Sequence, residues 1–127
     1  MANKEVKKSS LELLLDNASD MSVSVERHPI GEMVKDCLNR DVTRLRGLIG
    51  DAKDITDLDA TVMIFTRECS KKVLSHGMNA YSQLLRYNIK EAIPFGQSLN
   101  AYENAMASLG FIKANPVAGD VTDELTR

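Results

Sequence analysis

The chain has no tryptophan, and three phenylalanines and three tyrosines leave aromatics at 5% of its 127 residues. Sheets favour aromatic and β-branched runs, so this scarcity argues against a β fold. No apolar run exceeds four or five residues, far short of the roughly 20 that a membrane-crossing helix needs. The polar, lysine-rich start, Met1 to Ser10, has no apolar run behind it, so the hydrophobic centre of a secretory signal is lacking. A cytoplasmic location is the expectation. The net charge is only −2, with Lys and Arg interspersed among Asp and Glu. A nucleic-acid partner, which would call for a basic face or stripe, is therefore not expected.

Signatures of chemistry are equally scarce. His28 and His76 are the only histidines, and neither belongs to an H-x-x-x-H or E-x-x-H pair, the helical signal of a metal site. Cys37 and Cys69 fall on apolar stripes, as buried cysteines do, with no base beside them. A reduced pair is the simplest reading, with a single Cys37–Cys69 bridge as the alternative. The pairs Asp51/Asp54 and Asp57/Asp59 precede a helical pattern and read as caps, without the glycine and terminal glutamate of a calcium loop. Gly47 and Gly50 have no phosphate-loop context. No catalytic residue, cofactor or metal ligand is assigned, and the chain is not expected to be an enzyme.

What is present is helical. Hydrophobic residues make up 43% and charged residues 27% of the chain, ordinary values for a folded domain. Ser9 and Glu12 are spaced as a capping box for a first helix over about 10–20, carrying Leu11, Leu13, Leu14 and Leu15. Pro29 suits the first turn of a second helix over 29–49, whose apolar residues from Ile30 to Ile49 recur at steps of three and four before Gly50. Thr56 and the aspartates around it then suit the start of one very long amphipathic helix, from about Asp57 to Ile93, with Pro94 ending it. Gly77, near its middle, marks a bend or a close helix–helix approach. Pro94-Phe95-Gly96 reads as a turn, Ser98 as the cap of a last helix, and Gly110 as its left-handed stop. The expectation is an all-α fold, an elongated bundle of about four helices around one long central amphipathic helix. It forms a single domain over 1–112, with an irregular tail over 113–127.

The stretch from Asp41 to Phe95 contains Leu45-Arg46-Gly47-Leu48-Ile49-Gly50-Asp51-Ala52-Lys53-Asp54-Ile55-Thr56-Asp57-Leu58, then the long helix and Ile93-Pro94-Phe95. It resembles phasins, which coat bacterial polyhydroxyalkanoate storage granules. In that family an amphipathic helix leads through an "A-K-D/S-x-x-D/E-L" link into a long helix that ends near a proline. The resemblance implies a non-catalytic protein that covers a hydrophobic granule surface.

The apolar stripe of the long helix, Leu58, Val62, Phe65, Cys69, Val73, Leu84 and Ile89, is the candidate interaction site. Each aliphatic side chain it buries would contribute roughly 1.5–3 kcal/mol before ordering costs. The partners expected are other copies of the chain in a homo-oligomer, and a hydrophobic granule surface or the helices of a partner protein. The alternative is a small structural or accessory subunit of a multiprotein complex.

Overall fold

A computed structural model describes residues 8–26 and 32–113, and among them the regular elements are all helical. Four helices, α1 (Ser10–Glu26), α2 (Glu32–Ile49), α3 (Ala60–Arg86) and α4 (Ala92–Ser108), follow in order, with a 3₁₀ turn at Ile55–Asp57. Each packs on its neighbours in sequence, and α4 closes the ring against α1, so that α1 and α3 lie diagonally across the bundle. Paired positions run oppositely along each interface: Glu12 meets Lys53 while Ser19 meets Arg46, and Ser70 meets Tyr102 while Gly77 meets Leu99. The topology is up-down-up-down, as short connections between helices favour.

The helix ends follow from local chemistry. Ser9 Oγ accepts from the Glu12 amide at 3.2 Å, and the Glu12 carboxylate accepts from the Ser9 amide at 2.8 Å, completing the predicted capping box. Helix α1 runs on to Glu26, beyond the expected limit near residue 20. Helix α2 stops where expected, with Gly50 at φ +56° and its amide bonded to the Arg46 carbonyl. Pro29, its expected first-turn residue, lies outside the described residues, as do 114–127 of the expected tail. The Asp51–Thr56 connector contains a further box: Asp54 and Asp57 cap the 3₁₀ turn reciprocally. Asp59, not Thr56, caps α3, its carboxylate accepting from the Val62 amide at 2.9 Å.

The long helix is shorter than expected. It covers 27 residues, Ala60–Arg86, about 40 Å at 1.5 Å per residue, and does not reach Ile93. Its stop is Asn88, in the left-handed region at φ 55°. The Ile89 amide reaches back to the Leu84 carbonyl and the Asn88 amide to that of Leu85, both orphaned by the end of the helix. Half-buried Ile89 packs against the core. Pro94 does not end α3 and Ser98 does not start α4. Pro94 is the third residue of α4, where a missing amide hydrogen costs nothing because first-turn donors have no partner within the helix. Gly110, at φ +78°, ends α4 as expected, with the buried Phe111 donating to the Met106 carbonyl at 2.9 Å.

The core runs the length of the bundle. Leu11, Leu14 and Met21 of α1, Leu38 and Leu45 of α2, Val73 and Leu84 of α3, and Phe95, Tyr102 and Met106 of α4 are all essentially inaccessible. Gly77 lies within the unbroken α3. It provides the close approach: a Cβ there would lie 3.1 Å from Leu99 Cδ1 and 3.2 Å from Met21 Sδ. Gly96 does the same for Tyr81, whose Cε1 would lie 2.7 Å from an added Cβ, and the Tyr81 ring stacks on Phe95 at a centroid distance of 6.3 Å.

Candidate interaction surface

Helix α3 carries apolar residues on two faces, and they have different fates. Of the predicted stripe, Cys69, Val73 and Leu84 are buried inside the chain's own bundle, Val62 on α3 and Leu58 and Ile89 at its ends are half-buried, and Phe65 alone is exposed. The bundle thus hides the inner part of that stripe.

The other face points outward. Ile64, Met78 and Leu85 are 46%, 52% and 51% exposed. With Lys71 they recur every seven residues, a spacing that drifts only about 20° per step around a helix. They therefore form a nearly straight seam on the solvent side of α3, about 32 Å from Ile64 to Leu85 at 1.5 Å per residue. Half-buried Leu74 and Tyr81, three residues after Lys71 and Met78, broaden it. Phe65, also half exposed, sits on the flank of α3 next to α2. Elsewhere, Tyr87 at the C-terminal cap of α3 and Ile93 in the first turn of α4 are exposed, Ile93 at 69%. Scattered exposed apolar residues are ordinary, but Met78 and Leu85, joined by half-buried Leu74 and Tyr81 at steps of three and four, line up along one helix and make a candidate contact surface. The exposed seam was missed from sequence because Lys71 interrupts it. Its signal is the seven-residue spacing itself.

Charge follows the same division. Helix α3 carries Arg67, Lys71, Lys72 and Arg86 against the single acid Glu68, whereas α1, diagonally across the bundle, carries Glu12, Asp16, Asp20 and Glu26 and no cation. Lys8 pairs with Asp16 and Lys53 with Glu12. These bonds raise the ammonium pKa of both lysines, and the Ser9 amide, ahead of Lys53, holds Glu12 low. On α3 the Arg67 Nε lies 3.4 Å from the Glu68 carboxylate, but Arg44, Lys71 and Lys72 make no ion pair among the described residues. Between α2 and α3 a cleft of about 230 Å³ is lined by Arg44, Phe65, Glu68, Cys69 and Lys72.

The interior polar groups are arranged for packing. His76 Nδ1 lies 2.7 Å from the nearly buried Asp41 carboxylate, tying α3 to α2. Cys69 Sγ donates to the Asp41 backbone carbonyl at 3.3 Å. Burial, then the Asp41 charge, pushes the Cys69 thiol pKa up against the opposing effect of Arg44 and Lys72, so it is held as the weakly nucleophilic thiol. Tyr102 donates to the Ser70 carbonyl at 2.8 Å, and burial drives its phenol pKa far upward. Ser70 donates to the Thr66 carbonyl, while Thr66 Oγ1 is buried with no hydrogen-bond partner among the described residues. Cys37 and Cys69 are both free thiols. Among the described residues no group of three His, Cys, Asp or Glu side chains converges as a metal site, and no helix is long and apolar enough to cross a membrane.

No family model matches the chain, and neither a curated protein nor a solved structure matches it at a significant level.

Proposed function

We propose that the chain is a non-catalytic helical protein that self-associates and coats a larger hydrophobic body, as the phasin resemblance implies, with the outer seam of α3 as the surface that meets that body. The observation that carries this reading is the exposure of Ile64, Met78 and Leu85 along one line of a helix whose opposite face is already packed in the bundle. A surface of this kind gains from being covered, at about 25 cal/mol per Å² of apolar area removed from water. The bundle supplies a rigid body on which the seam is displayed, so contact does not require the four helices to open. The His76–Asp41 pair and both cysteines act as structural elements in this reading.

The test is a Met78→Asp/Leu85→Asp variant, studied beside the parent by light scattering and by co-sedimentation with polyhydroxybutyrate particles. Both side chains are half exposed, so far-UV circular dichroism and thermal melting should stay close to the parent. The expected result is a native particle of unchanged size and at least tenfold weaker sedimentation. A well-folded variant that assembles and sediments as the parent does refutes the proposal.

A second reading, an accessory subunit of a multiprotein complex, is favoured by a different feature. A cleft of about 420 Å³ between α1 and the start of α4, lined by Asp20, Val23, Ser24, Glu91, Pro94, Gln97 and Ser98, offers a partly apolar seat with two acids for a partner segment.

A further inference from the structure

We infer that the outer face of α3 is built for an anionic lipid interface, a layer of phospholipid headgroups over a hydrophobic interior. The inference rests on the coating function proposed above and names the chemistry of the surface coated. A bare apolar surface would call for an apolar seam alone. The seam here has cations within and beside it: Lys71 occupies one of its four heptad positions, Lys72 follows, Arg86 lies at its end, and Arg44 faces Lys72 across the α2–α3 cleft.

Lysine and arginine at such positions bury their aliphatic stems along apolar neighbours and hold the charge at headgroup depth. The α2–α3 cleft sets Arg44 and Lys72, which make no ion pair among the described residues, beside Phe65 and Cys69, with Glu68, held by Arg67, as its one acid, so two cations there face a single carboxylate.

The sidedness of the bundle supports the same occupant. Helix α1, diagonally opposite α3, carries no cation of its own, and its Glu12 and Asp16 are balanced by Lys53 and Lys8, so the excess of positive charge lies on the α3 side and an anionic surface attracts that side. A second copy docking α3 on α3 would instead bring Arg67, Lys71, Lys72 and Arg86 against the same residues, with only Glu68 to offset them. Like charges facing each other across an interface destabilise it.

The experiment compares full-length protein on three surfaces: phosphatidylcholine vesicles, vesicles with about a third phosphatidylglycerol, and polyhydroxybutyrate particles without lipid. Each cation near an anionic surface contributes on the order of fivefold in affinity. The Arg44→Gln/Lys71→Gln/Lys72→Gln variant, altered only at exposed side chains, should therefore bind phosphatidylglycerol vesicles on the order of a hundredfold more weakly. The parent should bind those vesicles at least tenfold better than phosphatidylcholine alone, and lose the difference in 0.5 M salt (about a 4–5 Å screening length).

Equal binding of the parent to neutral and anionic vesicles overturns the inference, as does a triple variant that binds like the parent. If either occurs while the lipid-free particles are still coated, the coating function stands and only its lipid specificity falls. Failure to bind any of the three surfaces removes both. If the triple variant instead loses self-association while the parent ignores all vesicles, the occupant of the face is the acidic α1 of a second copy, and the lipid inference is refuted.

Discussion

Thr66 should be more useful to the protein as valine. It is fully buried on the inner face of α3, and its hydroxyl has no hydrogen-bond partner among the described residues, although the neighbouring Ser70 hydroxyl and Tyr102 phenol are both satisfied. A stranded buried hydroxyl costs about 1–3 kcal/mol relative to water. Thr66→Val keeps the β-branch and nearly the same shape, so no cavity opens, and it turns a polar atom into a methyl that gains from burial. The expected stabilisation is about 1–2 kcal/mol, or about 4 °C or more in melting temperature for a domain of this size. Urea unfolding followed by circular dichroism reads the difference as a shift in midpoint at unchanged slope. Thr66→Ser, which keeps the hydroxyl and drops the methyl, should move the midpoint the other way. A Thr66→Val protein less stable than the parent refutes the reasoning, since it would show that the hydroxyl is bonded in solution.

Two further outcomes follow from the packing. Gly96→Ala should destabilise the parent by about 1 kcal/mol, because overpacking against the Tyr81 ring, 2.7 Å from the added Cβ, outweighs alanine's helix propensity. In a Tyr81→Ala background the same change should stabilise by up to about 1 kcal/mol, and a double-mutant cycle by thermal unfolding that shows no change of sign counts against the contact. With a chromogenic disulfide at pH 8, native protein should release one thiol equivalent quickly, from half-buried Cys37. The second, from Cys69, should appear only on unfolding, since its raised pKa leaves less thiolate at any given pH. Two rapid equivalents would show that Cys69 is not held in the α2–α3 interface.

The helix ends were legible wherever a side chain acts on its own backbone. The Ser9/Glu12 box and the left-handed glycines Gly50 and Gly110 are found where the sequence placed them, because capping depends on a few adjacent residues and little else. The break after Arg86 was not legible. The segment Tyr87 to Glu91 contains neither glycine nor proline, and its stop depends on Asn88 accepting φ 55° while the Ile89 side chain packs on the core. Asparagine tolerates that conformation but does not require it, so tertiary packing decides. Pro94 misled for a related reason. The bias against a helical residue before proline is real, but it is overridden where the preceding residues open a new helix and the proline falls in its first turn.

The candidate surface presents a harder version of the same problem. Periodicity shows that a helix has an apolar face, but not what covers it, and α3 has two. The inner one, through Cys69, Val73 and Leu84, forms the middle of the stripe that the spacing predicts as the site. Continuity is what closing a bundle demands, since α2 and α4 must both pack on it along its length. An external contact demands less. It needs apolar residues spaced widely enough that the free protein stays soluble, with charge between them, which describes Ile64, Lys71, Met78 and Leu85. On a helix with two apolar faces, the interrupted one is therefore the better candidate for function, and the residue that interrupts it specifies the partner's charge. Here that residue is Lys71, and it is the anionic surface inferred above that would meet it.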